Sequence, residues 1–134
     1  MSTLFSKIVN GEIPSYKIAE NNRFYSFLDI APLTKGHALV IPKIEVDYIF
    51  DLEDNLLAEM TVFAKKVALA VEKNVECQRI GVAVLGIEVP HAHIHLIPIV
   101  RGDEINFQQE RINLSKDEFS ELANKILNTF EQNL

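Results

Sequence analysis

Three of the chain's four histidines occupy alternate positions in His91-Ala92-His93-Ile94-His95. The residues between and after them, Ala92, Ile94, Leu96 and Ile97, are apolar. In an extended strand, residues i, i+2 and i+4 line one face. The spacing therefore sets three imidazoles on one side and turns Ala92, Ile94 and Leu96 toward a core. Imidazole titrates nearest neutrality of all side chains, so it serves as base, nucleophile or metal ligand at physiological pH.

Three readings suit such a face. A buried structural histidine needs a hydrogen-bond partner for each ring nitrogen, a demand that grows with every ring added. His-x-His on a strand can also place two imidazoles on one zinc ion. A third ligand must then come from elsewhere, and Cys77 stands alone, with no Cys-x-x-Cys or His-Glu-x-x-His in the chain. Nucleophilic catalysis is the third reading. Neutral imidazole attacks phosphorus well and its phosphoryl adduct hydrolyses readily. Neighbouring rings would donate to the phosphate oxygens as charge builds, and the segment at Gly86 would add backbone N–H donors. This chemistry calls for no metal or cofactor.

The rest of the composition narrows the partners. At 134 residues the chain has the length of one domain able to bury its own core, with ordinary globular proportions of apolar and charged residues. A net charge of −6 argues against broad contact with a polynucleotide backbone. It leaves room for a small phosphate ligand held by amides and imidazoles. A single cysteine precludes an intrachain disulfide and fits a reducing cytoplasm. The N-terminal residues lack the apolar stretch of a signal peptide, and charge interrupts every apolar run short of a membrane span.

These rings must be positioned by a sheet. Leu4 to Val9 suits a short helix ended at Asn10-Gly11. Ser15 to Ala19 and Arg23 to Leu28, around Asn21-Asn22, read as a β-hairpin. Asp29 to Gly36 is loop, and His37 to Ile41 is a strand stopped by Pro42. Leu56, Met60, Phe63, Val67 and Val71 recur at helical spacing, with Asp51, Glu53 and Asp54 at the positive end of the dipole. Gln78 to Leu85 reads as a buried strand and Ala92 to Ile99 as the histidine strand. Ser115-Lys116-Asp117-Glu118 is a capping box opening a last helix striped by Phe119, Leu122, Ile126 and Phe130. The order β-β-β-α-β-β-α favours an α+β fold on a mainly antiparallel, five-stranded sheet with a long central helix and an additional C-terminal one.

At His91-Ala92-His93-Ile94-His95-Leu96-Ile97 the chain resembles the histidine triad (HIT) family of nucleotidyl hydrolases and transferases, in particular its Hint-like branch. Further landmarks of that family stand in order: Phe5-Ser6-Lys7-Ile8, Asn10-Gly11-Glu12-Ile13-Pro14, Phe27-Leu28-Asp29-Ile30-Ala31-Pro32 and Gly36-His37-Ala38-Leu39-Val40-Ile41-Pro42-Lys43. The likeness spans Leu4 to Pro98. It implies one HIT-like domain over residues 1–134, with its core at 4–98 and a helical extension from about 101. It also implies a homodimer with a purine nucleotide or nucleotide conjugate bound in each subunit. By match of motif, His93 is the nucleophile on the α-phosphorus, His95 contacts the phosphate, and His91 and His37 support them. Asp29 corresponds to the residue that binds the ribose hydroxyls, although an aspartate there also suits a loop cap. Ile30 would lie against the base, and Gly86, Glu88 and Val89 would border the substrate.

Two departures bear on chemistry. Zinc-bearing bacterial members carry Cys-x-x-Cys near the N-terminus and a histidine two residues beyond Ile-Pro-Lys. Thr3, Ser6 and Glu45 stand there in this chain, so the resemblance implies no zinc. The family's Gly-Gln-[Ser/Thr]-Val reads Gly86-Ile87-Glu88-Val89, which removes a hydroxyl that assists the leaving group. Two functions follow: an α-phosphate hydrolase or transferase working through a nucleotidyl-histidine, or a nucleotide-binding module with little turnover.

Overall fold

The computed structural model describes residues 2–134. A short helix α1 (Leu4–Val9) precedes β1 (Lys17–Glu20), β2 (Phe24–Leu28) and β3 (Ala38–Pro42). A 3-10 turn at Ile49–Asp51 leads into helix α2 (Asp54–Glu72). Strands β4 (Arg79–Ala83) and β5 (Ile94–Ile99) follow, and helix α3 (Lys116–Gln132) comes last. The strands form one antiparallel sheet in the order β1-β2-β3-β5-β4. This is the expected α+β architecture. Both caps of α3 read from Ser115 and Glu118 are formed.

Alternation sorts the sheet residues onto two faces. Phe24, Leu28, Ala38, Val40, Ile94 and Leu96 pack beneath α2 and α3 in the main core. Tyr25, Phe27, Leu39 and Ile41 turn the other way and meet Phe5 and Ile8 of α1 in a smaller cluster. Pairing of Leu39 with His95 puts the His95 side chain on that second face. The C-terminal helix belongs to the main core, through Phe119, Leu122, Ala123, Ile126 and Phe130.

Two strand expectations change. The apolar run Gln78–Leu85 is not buried: β4 is the sheet's edge, and Val82, Val84 and Leu85 are exposed. An apolar run has the same composition whether a helix or empty space lies over it. The ladder of the histidine strand starts at Ile94, so His95 alone of the triad lies within it. Ahead of it the Ala92 amide donates to the carbonyl of Val46, outside the sheet, at 2.6 Å. The alternation nevertheless persists, since Ala92 joins the main core while His91 and His93 both meet Phe5.

Candidate active site

His93 and His95 have ring centroids 5.1 Å apart, and His95 and His37 have centroids 5.2 Å apart. All four histidines are buried. Their hydrogen-bond partners determine where each proton sits, because a carbonyl can only accept and an amide can only donate.

The first chain of bonds begins at Leu33. Its N–H donates to His37 Nδ1 at 3.0 Å, so that nitrogen is bare. Burial, with His95 and Arg111 nearby, lowers the His37 pKa to about 3, and the ring is neutral. The proton of a neutral His37 is then on Nε2, which lies 3.0 Å from His95 Nδ1 and donates to it. His95, also neutral with a pKa lowered by burial to about 4, keeps its proton on Nε2. His95 therefore offers an N–H donor.

The second chain ends at His93. His91 Nε2 lies 2.7 Å from the Pro42 carbonyl oxygen and donates to it. Burial lowers the His91 pKa, leaving Nδ1 bare to accept from the Thr3 hydroxyl at 2.7 Å. His93 Nδ1 stands 2.7 Å from the carbonyl oxygen of His91. That contact requires a proton on His93 Nδ1, so in the neutral ring the lone pair is on Nε2. The site thus pairs one unprotonated ring nitrogen with one N–H donor, the combination needed to attack an electrophile and to bind the oxygen it carries.

A cavity of about 320 Å³ reaches His93 between the 47–50 segment and the residues Val84, Leu85 and Gly86. Gly86, with φ 72°, lines it beside His93. Glu88 is exposed, close enough to Asp29 to raise its pKa slightly, and Val89 packs against the smaller apolar cluster. Asp29 forms the loop cap considered for it, and its other oxygen turns toward His37. Its Oδ1 accepts from the Ala31 amide at 2.9 Å, a loop cap, while Oδ2 lies 3.6 Å from His37 Nε2. Desolvation raises its pKa. Ile30 beside it is 75% exposed and does not line the cavity at His93.

Two residues that sequence patterning does not single out also reach the site. The Phe107 ring packs edge-on against His95 at 4.8 Å and lies 6.3 Å from His37. Arg111 covers Phe107 at 5.5 Å and donates to the Ala31 carbonyl at 2.7 Å. Ile112 N–H donates to the Pro32 carbonyl at 2.9 Å. The segment after the sheet therefore folds back over the loop that carries Asp29 and Ile30.

Neither cluster of ligating side chains suits a metal. Ligand atoms of Asp29, His37 and His95 lie within 4.8 Å of one another, but His37 Nε2 spends its proton on His95 Nδ1, so neither nitrogen offers a free lone pair. Thr3, Ser6 and Glu45 do converge, as the resemblance implies for a zinc centre. They bring two neutral hydroxyls in place of thiolates, and the Thr3 proton occupies His91 Nδ1.

A five-stranded antiparallel sheet presenting a buried, tautomer-locked histidine cluster places the molecule among α+β proteins of the histidine triad class. The family profile of the HIT domain matches residues 10–102. The chain is 41% identical over 99 residues to an adenosine 5'-monophosphoramidase of Schizosaccharomyces pombe, covering 73% of this chain and 74% of that one. Its fold matches a HIT-like protein involved in cell-cycle regulation from Bartonella henselae, with TM-score 0.81, 30% identity and 96% of both chains covered. It also matches a zinc-bound histidine triad family protein from Mycobacterium smegmatis, with TM-score 0.83, 28% identity, and 98% and 95% of the two chains covered. The chain belongs to the histidine triad family. Among the described residues no helix is long and apolar enough to cross a membrane.

Proposed function

We propose that this protein is a nucleotide hydrolase or nucleotidyl transferase that cleaves a small nucleotide conjugate, such as a nucleoside 5'-phosphoramidate, at the α-phosphorus. The observation that carries the reading is the 2.7 Å hydrogen bond from His93 Nδ1–H to the His91 carbonyl, which leaves Nε2 as a nucleophile. In the first step the Nε2 lone pair forms a bond to phosphorus. The bond from phosphorus to the leaving group breaks, and its electron pair departs with that group, which takes up a proton from solvent. The resulting nucleotidyl-imidazolium keeps its Nδ1 proton on the His91 carbonyl. In the second step water adds to phosphorus, the P–N bond returns its electrons to Nε2, and a proton passes to solvent. His95 Nε2–H donates to the phosphoryl oxygen in both steps.

Asp29 accepts from the ribose hydroxyls through its second oxygen, Ile30 faces the purine, and Gly86 to Val89 borders the leaving group. Relatedness to an adenosine 5'-monophosphoramidase supports adenosine as the nucleoside. The exposed edge β4, with Val82 63% exposed, and the exposed Val62 and Leu69 on α2 support a homodimer joined along that side. The opposite edge, β1, is covered by α3, whose Phe119 stacks on Tyr16 at 4.8 Å. The lone Cys77 suits a cytoplasmic protein.

The test is turnover of an adenosine 5'-phosphoramidate by the native protein and by His93→Ala. Loss of a nucleophile lowers the rate by roughly three orders of magnitude or more. Unchanged turnover in His93→Ala rejects the reading. Glu88, in the place of a hydroxyl residue, favours a second reading, a nucleotide-binding module; tight binding of the nucleotide by native protein without product would select it.

A further inference from the structure

Thr3 sits 88 positions from His91 in sequence, yet its hydroxyl oxygen lies 2.7 Å from His91 Nδ1. We propose that Thr3 is a positioning residue for the histidine centre: its hydroxyl proton holds the His91 ring on the Pro42 carbonyl, and thereby the His91 carbonyl that seats His93. A hydrogen bond fills the place where the zinc-bearing members of the family put a metal ion. The inference rests on His93 being the nucleophile only for its kinetic consequence.

The partners of the neutral His91 ring determine its tautomer. The Pro42 oxygen accepts from His91 Nε2 at 2.7 Å, so Nδ1 of the neutral ring can only accept. The Thr3 hydroxyl supplies the proton. The same Thr3 oxygen accepts from the Ser6 amide at 3.0 Å, capping α1. Thr3 N–H donates to Glu45 Oε1 at 2.8 Å, tying the residue to the chain beyond β3. The Glu45 carboxyl lies below its ordinary range because it accepts from the Ser6 hydroxyl and then from that amide. The Thr3 hydroxyl has a second acceptor in Ser6 Oγ at 3.2 Å, but the 2.7 Å contact to His91 Nδ1 is the shorter and takes its single proton. Phe5, two residues on, meets His91 at 5.8 Å and His93 at 5.1 Å, edge to face. His91 is wholly buried, and the Thr3 hydroxyl is the partner its Nδ1 meets. The N-terminal helix thus grips the ring whose backbone holds the nucleophile.

Capping and positioning are separable by chemistry. Thr3→Ser retains both the acceptor for the Ser6 amide and the proton for His91. Thr3→Asp retains the cap, since a carboxylate accepts from Ser6, but has no proton to give. Thr3→Val removes both. The tautomers of His91 and His93 are read by long-range ¹⁵N–¹H NMR on the ligand-free protein, and kcat and KM with an adenosine 5'-phosphoramidate.

The expected result is a native and Thr3→Ser spectrum with protons on His91 Nε2 and His93 Nδ1. In Thr3→Asp and Thr3→Val the His91 Nδ1 signal moves and the single His93 tautomer is lost. Their kcat falls about tenfold or more while KM changes little, as expected for a misoriented nucleophile. Native protein carrying a proton on His91 Nδ1, or Thr3→Asp matching Thr3→Ser in both spectrum and kcat, overturns the proposal. Should Thr3→Val fail to fold, Thr3→Asp, which keeps the cap, decides. Should the native protein not turn over the substrate, the hydrolase reading fails while the NMR comparison still judges Thr3.

Discussion

His37 Nε2 lies 3.0 Å from His95 Nδ1, and this contact joins the end of the loop before β3 to the histidine face of β5. Because the Leu33 amide occupies the other nitrogen of His37, the contact has only one direction in the neutral state, from His37 to His95. The pair is a fixed relay, buried and uncharged.

Burying two neutral rings makes stability depend on pH. The folded-state values, about 3 for His37 and about 4 for His95, lie below the 6.5 of a free imidazole. As pH falls below about 6.5 the unfolded chain takes up protons that the folded chain refuses, so stability falls. The slope is at most about 1.4 kcal/mol per pH unit for each ring, and it flattens once the folded rings titrate near pH 3 to 4. Asp29, whose pKa is raised by burial, acts with the opposite sign. Urea midpoints measured between pH 8 and pH 4 check this, with a monotonic decline expected.

His37→Leu removes the relay while keeping the volume apolar. It orphans the Leu33 amide, which costs about 1–3 kcal/mol at pH 7. It also removes one ring's share of the acid slope, so native and variant midpoints converge as the pH is lowered. The same urea series shows both effects. Turnover of the phosphoramidate falls as well, since His95 loses the donor that holds its proton on Nε2.

Arg111→Ala severs the 2.7 Å bond to the Ala31 carbonyl and uncovers Phe107. The loop carrying Asp29 and Ile30 then keeps only the bond from the Ile112 amide to the Pro32 carbonyl as its brace from this segment. With the reacting nitrogens untouched, KM for the nucleotide conjugate rises about fivefold, roughly 1 kcal/mol, while kcat holds. Steady-state kinetics test the split.

Val82→Asp places a charge midway along the open edge β4. If two copies pair there, burying the carboxylate is prohibitive and the chain elutes as a monomer in light scattering coupled to gel filtration. Native protein is expected at twice the chain mass.

Local patterns made much of this molecule readable from its amino-acid order. The spacing of Leu56, Met60, Phe63 and Val67 marks α2, Ser115 and Glu118 mark the start of α3, and alternation around Ile94 separates imidazoles from core. Contacts between irregular segments carry no period and stayed hidden. Phe107 and Arg111 lie in a stretch without repeating strand or helix spacing, and only the tertiary fold brings them to His95 and Ala31. The Thr3–His91 bond is of the same kind. The exposure of β4 is hidden for another reason, because Ile80 and Val82 suit a buried strand and an unpaired edge equally.

Covalent bonding of His93 to phosphorus is tested most directly by rapid acid-free quenching of the native protein with an adenosine 5'-phosphoramidate, followed by peptide mass spectrometry. An adenylyl group on the peptide containing His93, absent from His93→Ala, is the result the tautomer assignment predicts. Turnover by the native protein with no adduct at the earliest quench times, together with an active His93→Ala, would contradict it.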